Sequence, residues 1–503
     1  MSPDLQNVFY ASLAVFVTWY IIKWRTDPLR AIPTVGGPSA PILSYLTAMR
    51  TLQDSKGVLQ EGYAKYYNST FRIALLDQWV VVLTGKQLVE DLRKRPESEL
   101  SLAESIEDIQ QVRFTVGRET LDDPYHVDVI RDKLTRMIPA VLPDVVDELS
   151  MVLPEYIATG STDDWVEVSV WRSMLNVIAR ISNRVFVGPP LCRDKEYLEL
   201  AIDFALDINS DGALISYLPK FMKPFVGHYI SGVRKAVRRT VPLFTPVLKE
   251  RRANMKEYGE AWSDKPNDGL QWVLDIAVPK GYNDMSIVER LLFINSGAIH
   301  TTSNSLTHAL YDLASMPEHI EPLREEVEPI IVAEGWTKNA ITRMSKLDSF
   351  LKESTRIHGI VLTSLTRKAL KDVTLVDGTV IPKGTSVAAP QSATHLNEEY
   401  YPDASTFDPF RFSRAREKEG ESLRHQFVNT STEFIAFGHG KHACPGRFFA
   451  VNELKTVVAY ILLHYDLKLG GDGTRPKNVY LARNILPDPS GKVLFRKRKR
   501  RKS

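Results

Sequence analysis

The sequence predicts a mainly α-helical fold with a minor β component, preceded by a helix that anchors it in a membrane. Three observations predict it. Between about residues 120 and 360 the pattern is overwhelmingly helical, interrupted by loops near Gly188-Pro189-Pro190 and at 264–269. Short runs rich in β-branched residues flank that stretch: Trp79-Val80-Val81-Val82-Leu83-Thr84 before it, and 373–376 with 380–381 after it. Residues 5–22 carry no charge and are largely apolar. A length of 503 residues would allow three domains, but no linker inside 31–490 reads as a boundary.

The apolar element comes first. A helix crosses a bilayer with about 20 residues, and about 17 suffice, so residues 5–22 are just long enough. A cleaved signal peptide would carry basic residues before the apolar run and small ones after it. Here Asp4 precedes, and Tyr20-Ile21-Ile22-Lys23-Trp24 ends the run. A buried core helix is the other alternative. A retained anchor best accounts for Lys23, Arg25 and Arg30, which stay on the cytosolic side, and for Trp19, Tyr20 and Trp24 at the interface. The following Ile32-Pro33-Thr34-Val35-Gly36-Gly37-Pro38 cannot continue a helix. The expected division is an anchor at 1–30, a folded body at 31–495 and a basic tail at 496–503. That tail, nearly all Lys and Arg, suits anionic lipid, a nuclear signal or RNA patch, or plain solvation.

Composition is that of an ordinary folded protein, 44% hydrophobic and 25% charged. The net charge of +3 is too small to argue for a nucleic-acid partner. Cys192 and Cys444 offer no disulfide framework, which fits a reducing compartment.

Within the body, helices are expected at 55–70 and 85–95, a strand at 79–84, and a hairpin turning at Asp377-Gly378. One helix is unusual. Ser286 and Glu289 have the spacing of a capping box, with Asn283 and Asp284 as alternative caps. The helix then runs to about Leu313. Residues 293, 297, 301 and 305 share a face that, past Phe293, carries Gly297 and the hydroxyls of Thr301 and Ser305 rather than large apolar groups. Glycine in a helix costs roughly 1 kcal/mol relative to alanine. It makes sense where something must lie against the backbone.

Phe437-Gly438-His439-Gly440-Lys441-His442-Ala443-Cys444-Pro445-Gly446 sets a cysteine among glycines. The glycines let the backbone reach conformations closed to other residues, and Pro445 stiffens the turn after the sulfur. A helix starting near Arg447 would turn its positive end to the sulfur and favour thiolate. One thiolate is too few ligands for a structural zinc site and enough for a haem, which takes one proximal ligand. A small buried cysteine in a glycine-rich turn is the alternative.

The loop resembles the haem-binding loop of the cytochrome P-450 family, Phe-x-x-Gly-x-Arg/His-x-Cys-x-Gly. Phe437, Gly440, His442, Cys444 and Gly446 fill it, with His442 where most members carry Arg. The resemblance runs from the first residues to about residue 490. It implies a single-domain fold with haem b (iron protoporphyrin IX) between a long distal helix and the proximal cysteine loop. Cys444 would hold the iron, with Phe437, Gly438, Gly440, His442 and Gly446 around it. Gly297, Ala298, His300, Thr301 and Thr302 occupy the distal pattern. The haem would lie against Gly297 and Ala298, and Thr301, with His300 and Thr302, would deliver protons. His300 is a departure, because most members have Asp or Glu there. Imidazole also relays protons, with a reference pKa of about 6.5. The alternative is a histidine turned away from the haem and hydrogen-bonded to a neighbouring turn.

Glu353-Ser354-Thr355-Arg356 matches the family's E-x-x-R motif. The same spacing at Glu90/Arg93, Glu321/Arg324 and Glu421/Arg424 reads as ion pairs on helix faces. Order singles out Glu353: a turn near Gly359, strands, Phe407-Asp408-Pro409-Phe410-Arg411-Phe412 and the cysteine loop follow it. The resemblance implies that Arg411 joins Glu353 and Arg356 in a buried structural ion network. It implies Arg367 and His442 as partners of the haem propionates. Arg131 and His126 are further candidates with a surface position as the alternative, since Val127 stands where the usual W-x-x-x-R would have Trp.

Substrate-facing stretches implied by the resemblance are about 102–116, 293–298, 361–365 and 484–486, mainly apolar, which fits a lipophilic small molecule. The implied function is a haem-thiolate monooxygenase that inserts one oxygen atom from O2 into such a molecule, in one hydroxylation or several oxidation steps. The His300 and Cys444 segments look most like fungal members acting on terpenoids and other secondary metabolites. No flavin or nicotinamide fingerprint is visible, so electrons are expected from NADPH through NADPH-cytochrome P-450 reductase, with cytochrome b5 as a second donor. Lys441, His439 and Arg447 would give an acidic reductase a basic face. The expected location is the endoplasmic reticulum membrane, with one N-terminal span and the catalytic domain in the cytosol. A non-oxygenating haem-thiolate isomerase or dehydratase and a haem-binding carrier are the alternatives.

Overall fold

The computed structural model describes residues 3–159 and 164–499. The end of the basic tail, 500–503, lies outside the described residues. Pro3–Arg25 is one helix, apolar over a length that could cross a membrane, and none of that stretch is buried against the body. The chain after it is tied down. Arg72, 1% exposed, donates to Asp27 Oδ2 at 2.6 Å and to Thr34 Oγ1 at 2.9 Å, and stacks over Trp79.

A five-stranded sheet runs in the order Thr70–Ala74, Trp79–Leu83, Ser386–Ala389, Ser364–Ala369, Leu100–Ser101. Trp79–Leu83 is the expected strand. Its hairpin partner Thr70–Ala74 begins where the sequence reading still has helix, because the helix stops at Lys65. The register slips between Ser364 and Arg367, and Leu365 has φ 54°. Such a bulge re-aims the side chains beside it. The small hairpin of Val373–Thr374 with Val380–Ile381 closes at the expected turn, with Gly378 at φ 85°.

The rest is helical. Asp284–Ser315 has 32 residues, about 48 Å at 1.5 Å per residue. Its cap is Asn283, whose side chain accepts from the Ser286 N–H at 2.9 Å, in place of the Ser286/Glu289 box. It packs against Val170–Phe186, Lys195–Ser216 and Gly232–Tyr258. Leu291, Leu292, Ile299, Leu306 and Leu310 bury it in the main core. Arg496 and Lys497, expected to open the basic tail, end the strand Lys492–Lys497, paired with Tyr465–Leu469.

Candidate active site

Two glycines shape the cysteine loop. Gly438 has φ 71° and Gly440 φ 75°, conformations that strain residues with a Cβ. A Cβ on Gly440 would also fall 2.4 Å from Arg93 Cγ. The Cys444 N–H donates to Phe437 O at 2.7 Å and the Ala443 N–H to Gly440 O at 3.0 Å. Gly446 is the N-cap of Arg447–His464, so the sulfur sits at the start of a helix, as expected. Burial pushes the Cys444 thiol up, while the Gly446 N–H, the Arg447 guanidinium and the Arg447 N–H pull it down.

Cys444 lines a cavity of about 220 Å³ together with Phe437, Gly438, His442, Val361, Leu365 and Arg367. The distal helix has its own opening. Gly297 is exposed between buried Ile294 and Ile299, and a Cβ built on it would meet nothing within 4 Å. Ala298 and Thr301 beside it are half-buried. The Thr301 hydroxyl donates to Gly297 O at 2.6 Å, which leaves its oxygen free to accept.

The two other distal residues depart from expectation. Thr302 is 2% exposed and lies on an adjoining, packed face, 100° around the helix from Thr301. His300 packs edge-on against Trp171, with ring centroids 5.6 Å apart at 83°. Its Nδ1 is buried without a hydrogen-bond partner among the described residues, and burial pushes its pKa down. Its ring is turned onto the helix Val170–Phe186 and makes no hydrogen bond to a neighbouring turn among the described residues.

The residues fit a haem. A lone sulfur stands at a helix start, Gly297 keeps space against the distal backbone, and Arg367 supplies a cation for a propionate. Arg367 is 3% exposed, donates to Thr366 O at 2.7 Å and forms no salt bridge among the described residues. Burial pushes its guanidinium down to about 10, with Glu97 acting against that. His442 is the poorer propionate partner, because its Nε2 already lies 3.1 Å from Glu97 Oε2, off good hydrogen-bond alignment. Burial alone would raise Glu97, but His442, Ser101 and the Ala103 N–H hold it down at about 2.

Arg131 requires a correction. It is 47% exposed and pairs with Asp128 at 3.1 Å on the surface. It lies in a π-helical turn, Val129–Leu134, and Val127 stands where the W-x-x-x-R pattern would have Trp. His126 is instead buried, edge-on to Phe293 of the distal helix, with Nδ1 unpaired among the described residues. Burial pushes it down to about 4, aided by Arg290.

The ion network forms as expected. Arg356 donates from Nε and Nη2 to the two Glu353 oxygens, each at 2.7 Å, with both side chains 0% exposed. The rest of the guanidinium reaches His395 O at 2.6 Å and Ala404 O at 2.7 Å. Arg411 Nε adds a third contact to Glu353 at 3.3 Å, and the Asp408 N–H a fourth at 3.0 Å. The look-alike Glu421/Arg424 is an exposed pair.

A family model described as cytochrome P-450 matches residues 35–495. The chain belongs to the cytochrome P-450 family. Cytochrome P-450 monooxygenase 151 of Postia placenta is 47% identical over 497 residues, covering 98% of this chain and 99% of that protein. Cytochrome P-450 monooxygenase CYP512U6 of Ganoderma lucidum is 44% identical over 499 residues, covering 99% and 98%. An ent-kaurene oxidase of Gibberella fujikuroi is 31% identical over 499 residues, covering 98% of each. The solved structure of retinoic acid bound cyanobacterial CYP120A1 shares the fold at 17% identity, with a TM-score of 0.68 over 93% of this chain and 99% of that one. This chain is therefore a cytochrome P-450 monooxygenase, and the family's cofactor is haem iron. Sequence reasoning passes over one cavity-lining cation of this enzyme, Arg483, because nothing in the sequence separates it from an ordinary surface arginine in a turn.

Proposed function

We propose that this cytochrome P-450 monooxygenase is anchored in the endoplasmic reticulum membrane by Pro3–Arg25, with its body in the cytosol. Its substrate is a lipophilic terpenoid or related secondary metabolite, hydroxylated once or oxidised in several steps. Its electrons come from NADPH through NADPH-cytochrome P-450 reductase. The observation that carries the reading is Cys444 at a helix start, lining a cavity beside a buried Arg367 that has no salt bridge among the described residues. The likeness to an ent-kaurene oxidase supports the terpenoid class.

When bound, haem supplies a redox-active iron able to activate dioxygen, with Cys444 as its protein ligand. Arg367 would hold a propionate through its guanidinium fork. Gly297 keeps the distal backbone clear. Thr301, fixed by its bond to Gly297 O, offers its oxygen to accept a proton and its O–H to return one. His300 shapes the helix contact with Trp171 and leaves the proton transfer to Thr301. Exposed Lys441, and Arg447 with Arg131 near it, give the cysteine side a basic face for an acidic reductase.

Expression with a reductase in microsomes, with metabolites compared against a Cys444→Ala control, tests the reading. An oxygenated terpenoid product that needs both NADPH and O2 is expected. An isomerised product formed without NADPH consumption would defeat it.

A further inference from the structure

Besides Arg367, the cavity at Cys444 contains a second cation, Arg483. Arg483 lies in the turn of the hairpin Val479–Leu481 and Asn484–Leu486. Leu481 pairs with Asn484, so Ala482 and Arg483 are the two turn residues. An arginine in such a turn ordinarily points into solvent. Here the turn is strapped inward. The Leu362 N–H donates to Arg483 O at 2.7 Å, the Ile485 N–H donates to Ile360 O at 2.9 Å, and Val361 bridges to Asn484. Ala482 takes a left-handed φ of 50°, a region disfavoured for residues with a Cβ, and the strapped turn holds it there.

Arg483 lines two adjoining cavities. One is the Cys444 cavity; the other is bounded by Leu59, Ile73, Ser105, Ile109 and Ala388, and Thr363 and Thr366 line both. Neither lining contains an Asp or Glu. Among the described residues the Arg483 side chain has no salt bridge and no hydrogen bond. Arg483 is half-buried, with its guanidinium facing the cavities rather than sealed in the core, and what burial it has pushes the group below its ordinary value, with no carboxylate to offset the effect. A guanidinium offers five N–H donors in a planar fork. Taking it out of water without an acceptor is costly, and that cost is removed when a ligand brings the acceptor.

We infer that Arg483 is a specificity-determining residue that holds a carboxylate on the lipophilic substrate, in a bidentate pair at the junction of the two cavities. This rests on the monooxygenase reading. The apolar body of the acid then extends towards Cys444, and oxidation falls at a position remote from the carboxylate. The same fork would also fit a haem propionate, so the test separates the two carboxylates.

Full-length, haem-loaded enzyme in detergent is titrated with dodecanoic, abietic and ursolic acids and with their methyl esters. Calorimetry and the spin-state absorbance shift read the binding. At least one acid is expected to bind about ten-fold more tightly than its ester, the yield of one charge-assisted pair. The preference should vanish in Arg483→Leu and partly survive in Arg483→Lys, with haem content unchanged in both. No preference for any acid, or a preference that persists in Arg483→Leu, overturns the inference. Haem loss in Arg483→Leu assigns the residue to a propionate and overturns it as well. A wild-type chain that takes up no haem would overturn the monooxygenase reading and this inference with it, whereas a haem-loaded chain without acid preference overturns this inference alone.

Discussion

Glu353, Arg356 and Arg411 on one side, and Arg367 and Arg483 on the other, are two sets of charge in the same folded body, and they are treated in opposite ways. Arg356 spends its donors on Glu353 and on the carbonyls of His395, Ala404 and Thr406. Arg367 has one neighbouring carbonyl, and Arg483 has no side-chain partner among the described residues. The distal helix repeats the contrast: Asp312 is saturated, while His300 keeps an orphan nitrogen and Gly297 an unfilled space. Buried charge has to be answered. Glu353, Arg356 and Arg411 answer one another and serve the fold, whereas Arg367 and Arg483 face a cavity with donors to spare.

The largest expected effect falls on the closed set. Glu353→Ala leaves Arg356 buried and uncompensated, and should cost about 3–5 kcal/mol, read as a fall in urea midpoint together with loss of haem. A fully stable, haem-loaded Glu353→Ala protein would break the contrast on its closed side. Next comes Thr301→Ala, which should leave NADPH consumption running while product falls by about 100-fold or more and hydrogen peroxide accumulates; normal coupling would remove Thr301 from proton delivery.

Asp312 sharpens the contrast through pH. Burial alone would raise its pKa, but His358, Arg475 and Ser354 hold it below the ordinary carboxylate range. The unfolded chain therefore takes the proton first. The stabilisation is full above about pH 4 and drains as pH falls through the depressed native value. Asp312→Asn should be about 1–3 kcal/mol less stable at neutral pH, a gap that narrows in acid; a gap independent of pH would show that the charge does not matter. The smallest effect is that of His300→Gln, which should change coupling by less than about three-fold, since the imidazole packs on Trp171 instead of serving the proton path. A collapse of coupling would restore His300 as a relay.

What the sequence made legible follows from the same physics. Cys444, Gly297 and the Glu353-to-Arg411 order are local patterns whose chemistry is read from residue type and spacing; in the structure Cys444 lines a cavity, Gly297 keeps open space beside it and Arg411 reaches Glu353. The apolar helix at the N-terminus needs only composition and length. What failed depends on direction. Arg131 lies exposed in a π-helical turn that no residue pattern announces. The bulge at Leu365 aims Arg367, and the strap from Leu362 aims Arg483, through contacts between segments far apart in sequence. His300 was visible as a substitution in a motif, but its rotation onto Trp171 depends on the neighbouring helix.

One urea titration of the haem-loaded enzyme, comparing Arg356→Leu with Arg483→Leu, tests the central claim most directly. The account predicts that Arg356→Leu loses about 3–5 kcal/mol, because it strands a buried carboxylate, while Arg483→Leu is unchanged or more stable, because it removes a cation the fold never paired. Equal losses in the two variants, or a stable Arg356→Leu, would contradict it.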